Sequence, residues 1–261
     1  MTGGEPILAA GGLAKRFGGV QAVDDVRFEL APRQIAGLIG PNGAGKTTLF
    51  NLITGLDRPD AGATLFQGQD ITAQPAHAIN RMGIARTFQN IRLAGQLSVL
   101  DNVRVAYHAR AGYGLVEAAL HLPRYRRRER EISAAATALL ELFGLHGLGE
   151  QPAASLPYGL RRNLEIARAL ATGPSLLLLD EPAAGLNGRE TADLADLIRR
   201  IRDQFALTIL LIEHDMKIVM SLCERVLVLH YGRLIASGTP GQVKRDPQVI
   251  EAYLGPFQEL A

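Results

Sequence analysis

The sequence predicts an α/β fold: a mostly parallel sheet covered by helices, an N-terminal antiparallel β subdomain, and an inserted α-helical subdomain at about residues 95–160. Three observations predict it. Short apolar strands alternate with helical stretches through the last third of the chain, the pattern of a parallel sheet covered on both faces. A strand near residue 35 runs into a glycine-rich turn that opens a helix. Strand-like runs are missing between about Ser98 and Leu156, where apolar residues fall at helical spacing. The whole, 1–261, reads as one domain carrying an insert.

Taken in order, Val26–Leu30 alternates apolar and polar residues, as a half-buried strand does. Gln34–Ile39 is a mostly apolar strand, and Thr47–Leu56 is a helix ended by the turn residues Asp57-Arg58-Pro59-Asp60. In the insert, Val99, Leu100, Val103 and Ala106 share a helical face, and a long helix is expected over Arg124–Phe143. Ser175–Leu179 then reads as a buried strand, Glu190–Phe205 as a helix, Thr208–Ile212 as a strand and Met216–Cys223 as a helix. Arg225–Leu229 and Arg233–Ala236 are strands, and Pro247–Leu254 is a closing helix. No internal repeat or low-complexity tract interrupts this order.

Composition narrows the class. A 47% hydrophobic share supplies a core, and a net charge of +2 gives no field suited to nucleic acid. The single cysteine, Cys223, has no internal partner for a disulfide, which fits a reducing compartment. Met1 to Gly12 lacks a basic start followed by an apolar run, so no signal peptide is read there. The longest apolar runs, such as Leu176–Leu179, are too short to span a bilayer.

Chemistry concentrates first in Gly40-Pro41-Asn42-Gly43-Ala44-Gly45-Lys46-Thr47-Thr48, which matches G-x-x-x-x-G-K-[ST]. Glycines let the backbone curl until its N–H groups converge on phosphate oxygens, and the following helix presents its positive end. Lys46 supplies a charge for the β- and γ-phosphates, and the Thr47 hydroxyl can ligate Mg²⁺. A glycine turn with a chance Lys-Thr is the bland alternative; the strand before and the helix after count against it. The core is therefore read as that of a P-loop NTPase.

A second element is Leu176-Leu177-Leu178-Leu179-Asp180-Glu181, an apolar strand ending in two acids. A phosphate loop alone does not hold its metal, and Asp180 at the tip of a neighbouring strand suits that task. Glu181 beside a γ-phosphate could orient and polarise the attacking water. Two solvated acids before Pro182 would be the default without the phosphate loop upstream.

With these motifs in this order, the chain resembles the ATP-binding subunits of ABC transporters over essentially its whole length. The resemblance implies ATP and Mg²⁺ as cofactors and ATP hydrolysis as the activity. It implies that Phe17, in Lys15-Arg16-Phe17-Gly18, stacks on adenine, rather than packing in the core as most aromatics do, with Val23 also in the ATP site beside Asn42–Thr48. Gln89, in Thr87-Phe88-Gln89-Asn90, resembles the glutamine that reaches the metal and links core to helical subdomain. His214, in Ile212-Glu213-His214-Asp215, resembles the switch histidine that contacts the γ-phosphate. Either would otherwise pass as an ordinary loop side chain.

Leu156-Pro157-Tyr158-Gly159-Leu160 stands where the family signature LSGGQ belongs, acting in trans on the nucleotide of a second subunit. Only Leu156 and Gly159 keep the pattern. Pro157 offers neither hydroxyl nor N–H, although proline suits the first turn of a helix. Asn187 likewise replaces the aspartate of the following D-loop. The degenerate signature, Asn90-Ile91-Arg92-Leu93, Ala183-Ala184-Gly185-Leu186-Asn187 and the ending Val249–Gly255 resemble the first of the two ATPases in branched-chain amino acid importers. That implies a second, different ATPase subunit as partner (a homodimer being the alternative), transmembrane permease subunits, a solute-binding protein acting indirectly, and a peripheral place on the cytoplasmic membrane face. A soluble ABC ATPase outside transport is the other reading, against which stands the lack of a second cassette or a coiled-coil insert. A non-hydrolysing nucleotide binder is disfavoured by the presence of Glu181 and His214 together.

The densest charge run, Arg124–Glu131, interleaves acids and reads as a solvated helix face, with a lipid headgroup or permease loop as alternative contact. Arg161 and Arg162, beside the signature, are expected either to meet phosphate across a dimer or to face water.

Overall fold

The computed structural model describes residues 5–108 and 112–254. Met1–Gly4 of the N-terminal stretch and Gly255 of the C-terminal motif therefore lie outside the described residues. The chain forms two compact units. One takes the residues up to Arg86 and those from Ser175 onward; the other spans Thr87–Pro174.

The first unit begins with a hairpin of β1 (Leu8–Phe17) and β2 (Val20–Leu30), in which Val23, Val26, Phe28 and Leu30 turn inward at every second or third position. The buried β3 (Ile35–Ile39) then leads into α1 (Lys46–Ile53). After β4 (Ala61–Phe66) and the short β5 (Gln69–Asp70) come α2 (Ala76–Met82) and β6 (Ile84–Arg86). Strands β2-β1-β4-β5 make an antiparallel sheet in that order.

The second unit is helical. It holds α3 (Val99–His108), α4 (Leu115–Ala119), α5 (Pro123–Leu142) and α6 (Tyr158–Ala171). Among its described residues the only β pairing is the single bridge Ser98–Pro152. Pro123 opens α5 at a position that needs no N–H. Val99 and Val103, Ile132, Ala136 and Leu139, and Leu164 and Ala167 turn the apolar stripes of α3, α5 and α6 inward. Arg104 and His108 of α3, with the Tyr113 hydroxyl, converge on the Glu129 carboxylate of α5 at 2.7–3.0 Å. Within the Arg124–Glu131 run, Arg127 and Arg128 pair with the exposed Glu131 on the outer side of the helix, whereas Glu129 turns inward as the acceptor just described.

Returning to the first unit, β7 (Leu176–Asp180) is followed by α7 (Gly188–Phe205), β8 (Thr208–Ile212) and α8 (Met216–Leu222). The chain ends with β9 (Arg225–His230), β10 (Arg233–Gly238), α9 (Pro240–Val243) and α10 (Pro247–Leu254). The second sheet has the order β10-β9-β3-β8-β7-β6; all pairs are parallel except the edge hairpin β9–β10. Strands β3, β7 and β8 are buried at every residue, which is why each reads as an unbroken apolar run instead of alternating. Registers Leu38–Ile212 and Ile212–Asp180 set the carboxyl ends of β3, β8 and β7 in one row. Among the described residues no helix is long and apolar enough to cross a membrane.

Candidate nucleotide site

Ligand sites in open α/β sheets form beyond the carboxyl ends of the strands. Here that edge collects Gly40 after β3, Asp180 and Glu181 at the end of β7, and His214 after β8. The segment 40–45 curls between β3 and α1. A Cβ on Gly40 would lie 2.0 Å from the Leu229 carbonyl oxygen, and one on Gly45 would lie 2.2 Å from that of Ala22. Both glycines also take positive φ, 152° and 100°, so no other residue fits either place. The loop is thereby pressed against β9 at Gly40 and against β2 at Gly45.

Lys46 is buried and donates to the Gly40 and Pro41 carbonyls at 2.7 and 3.0 Å. Burial pulls its ammonium below the ordinary lysine range, opposed by the nearby carboxylates of Glu181 and Asp180. Thr47, Asn42 and Gly43 are exposed, Thr48 is half-buried and Ala44 is buried. This turn, in which Gly40 and Gly45 admit no side chain, suits a chain of phosphates. Among the described residues no cluster of three or more His, Cys, Asp or Glu could hold a metal by itself. A metal here would take the Thr47 hydroxyl, the Asp180 carboxylate and phosphate oxygens, a hard-oxygen set that fits Mg²⁺.

Asp180 is buried and accepts from the Arg86 guanidinium at 2.8 Å, both side chains being 5% exposed. Arg86 also donates to Asn51 Oδ1 at 2.7 Å, tying the tip of β6 to α1 and β7. Glu181 follows with a positive φ of 47° and its N–H on the Ile212 carbonyl. His214 Nδ1 lies 3.9 Å from Glu181 Oε2, and the imidazole is exposed. Preceding His214 is Glu213, a buried carboxylate that accepts from Ala183 N–H at 2.8 Å and His214 N–H at 3.3 Å. Burial pushes Glu213 above the ordinary carboxylate range, against the pull of those N–H donors. Sequence reading passed over both Arg86 and Glu213. Their place beside the motifs, at −3 from Gln89 and −1 from His214, was the available signal.

The hairpin at the start of the first unit corrects one expectation. The resemblance puts Val23 in the ATP site, but its side chain is fully buried in the core, because inward positions on β2 include 23, 26 and 28. The apolar pair left on the surface is Phe17 and Val20, directly opposite in the β1–β2 register and 46% and 67% exposed. Phe17 is thus no core aromatic, and Lys15 lies over its ring. Since the Ala22 carbonyl abuts Gly45, this exposed pair belongs to the same hairpin that borders the glycine-rich loop.

In the second unit, Gln89 is exposed at the start of the chain segment leading to α3. Of the signature positions, Leu156 is buried, which leaves it a packing part, whereas Pro157 and Tyr158 are exposed and Gly159 and Leu160 half-buried. Pro157 caps α6 from the position before its first turn, its carbonyl accepting from Arg161 N–H. Arg162 corrects a second expectation. It neither faces water nor is available to phosphate: it is wholly buried, paired to Glu165 at 2.9 Å. Asn187 caps α7, accepting from the N–H groups of Arg189 and Glu190 in a capping box with Glu190, a duty an amide performs as well as an aspartate.

A family model described as ABC transporter matches residues 23–184, and one described as branched-chain amino acid ATP-binding cassette transporter matches 233–255. The high-affinity branched-chain amino acid transport ATP-binding protein LivG of Escherichia coli (strain K12) is 47% identical over 251 residues, covering 96% of this chain and 98% of that protein. BraF of Pseudomonas aeruginosa, with the same description, is 45% identical over 250 residues, at 96% and 98% coverage. Among solved structures, MJ1267, an ATP-binding cassette of an ABC transporter, superposes with a TM-score of 0.84 at 31% identity, covering 97% of this chain and all of that one. A phosphate loop, a carboxylate pair and a histidine on one sheet edge, together with relatives this similar along nearly their whole length, show that the chain belongs to the ATP-binding cassette family of ABC transporters.

Proposed function

We propose that this chain is the ATP-hydrolysing subunit that powers import of branched-chain or related amino acids through separate permease subunits. The observation that carries the hydrolytic reading is the convergence of Lys46, Asp180, Glu181 and His214 at one sheet edge. The solute class is supported by the descriptions of LivG and BraF and by the family match at 233–255.

In this reading the loop 40–48 binds the phosphates through backbone N–H groups and Lys46, and adenine lies on Phe17 and Val20. Thr47, Asp180 and Gln89 hold Mg²⁺, which when bound neutralises phosphate charge as it redistributes. Glu181 orients the attacking water and accepts its proton. His214 stands by Glu181 to donate to the γ-phosphate. The loop 156–160 faces the nucleotide of a second ATPase subunit, a different chain with a regular signature. The protein is one domain in this reading, its helical insert meeting the permease at the cytoplasmic face of the membrane.

The test is uptake by proteoliposomes holding the permease, both ATPase subunits and the solute-binding protein. ATP-driven accumulation of leucine, isoleucine or valine that stops without this chain is expected. Normal uptake in its absence, or ATP hydrolysis indifferent to every amino acid, would refute the assignment.

A further inference from the structure

Among the described residues Arg162 is the largest fully buried side chain, and a buried guanidinium needs several well-placed acceptors to be tolerated. Its acceptors have an unusual distribution. Nη1 donates to the Phe88 carbonyl at 2.9 Å and to Glu165 Oε2 at 2.9 Å; Nη2 donates to the Gln89 carbonyl at 3.1 Å and to the Tyr158 hydroxyl at 3.1 Å. Glu165 completes the figure: its Oε1 accepts from Arg92 N–H at 3.2 Å and from Phe88 N–H at 3.4 Å. The Arg92 guanidinium lies 4.1 Å over the Phe88 ring, closing the segment on itself. Two residues one helical turn apart on α6 thus grip the backbone of 88–92 on both its donor and its acceptor groups.

We propose that Arg162, Glu165 and Tyr158 are positioning residues: a buried clasp that makes the segment 88–92, with Gln89 at its centre, move as one piece with the start of α6. The planar fork of arginine spans two successive carbonyls, which a lysine ammonium cannot do in the same geometry. Tyr158 is the third arm. Where the family signature has a glycine, this chain has a hydroxyl on the guanidinium, and so the departure from LSGGQ acquires a task. Nucleotide contact at Gln89 is then felt at the loop 156–160, and the reverse. This coupling rests on the roles given above to Gln89 and to that loop; the clasp itself does not.

Arg162→Lys and Tyr158→Phe, singly and together, test it in the assembled transporter, with amide hydrogen exchange of 88–92 as a readout independent of activity. Exchange there should rise by about tenfold in Arg162→Lys, the loss of one charge-assisted hydrogen bond, while β3 and β8 stay protected. The ATPase kcat should fall by about tenfold with KM for ATP changed less than about twofold, since positioning and not ground-state binding is lost. Tyr158→Phe should fall less, and the double variant should match Arg162→Lys, because the hydroxyl acts through the guanidinium. Unchanged exchange at 88–92, additive losses, or a raised KM at constant kcat would overturn the clasp. Tyr158→Phe removes one oxygen from an exposed side chain, so it retains the test if Arg162→Lys does not fold. Gln89→Ala separates the two readings: full turnover in that variant with raised exchange in Arg162→Lys would overturn the role of Gln89 and leave the clasp standing.

Discussion

Arg86 and Asp180 form a 2.8 Å ion pair at the ends of two adjacent parallel strands, each side chain 5% exposed. The carboxylate proposed to serve the metal is thus held by a guanidinium that is itself anchored to Asn51 on the helix after the phosphate loop. One arginine ties three elements of the site.

Arg86→Ala should therefore destabilise the chain by about 3 kcal/mol, the usual cost of removing one partner of a buried ion pair. Urea unfolding followed by circular dichroism measures it. A change below about 0.5 kcal/mol, the level of an ordinary surface substitution, would mean that the pair has no structural weight.

Lys46→Ala deletes the ammonium that now sits on the Gly40 and Pro41 carbonyls. The loop is shaped by backbone and glycines, so the fold should survive. Affinity for MgATP should drop on the order of tenfold to a hundredfold, matching one or two lost charge-assisted hydrogen bonds. Calorimetric titration with equal affinity in both proteins would contradict the phosphate-loop assignment.

Glu181→Gln keeps the size of the side chain and removes its basicity, so ATP should bind and turnover should stop. The degenerate loop at Pro157, Tyr158 and Leu160 makes the outcome unequal in a mixed dimer. This chain's phosphate loop would face a regular signature, and the partner's would face a loop lacking a hydroxyl and an N–H. Each missing donor to phosphate is worth roughly 1.5–3 kcal/mol, about ten- to a hundredfold in rate if it acts in the transition state. ATPase rates of the full complex should collapse with Glu181→Gln here and decline less with the equivalent change in the partner. Equal losses would exclude asymmetry.

Glu213 gives a pH dependence of defined sign. Its carboxyl is raised by burial, so between the ordinary carboxylate value and its own the folded chain binds more protons than the unfolded one. Stability from this group is complete below the ordinary value and is lost as pH climbs through the raised one. Glu213→Gln should flatten that part of the stability curve and leave the Ala183 N–H with an amide oxygen as acceptor. Urea midpoints taken every half unit from pH 4 to 8 compare the two slopes; parallel curves would show that Glu213 does not titrate differently on folding.

Much of this was legible in the chain itself. Thr208–Ile212 and Pro247–Leu254 run where their patterns predict, and the other strongly apolar strands shift by a residue or two. The glycines of 40–45 were readable from the spacing of the motif alone, and the structure gives Gly40 and Gly45 their reason in the close approach of Leu229 and Ala22 backbone. The assignments proposed for the phosphate loop, Asp180 and Glu181 come from the chain in the same way: they rest on spacing along one strand and the turn that follows.

What the tertiary structure alone decided are the side chains whose meaning depends on a distant neighbour. Val23 and Val20 are the same residue type three positions apart, and only the register of β2 against β1 sends one into the core and leaves the other beside Phe17. Arg162 reads as one more basic residue on a helix, yet it is wholly buried because Phe88, Gln89 and Glu165 wait there to satisfy it. Arg86 and Glu213 carry no motif of their own, and their carboxylate and amide partners lie 94 and 30 residues away in sequence. Periodicity records which face a residue belongs to; it does not record what stands opposite, and for a buried charge the opposing group is what determines its role.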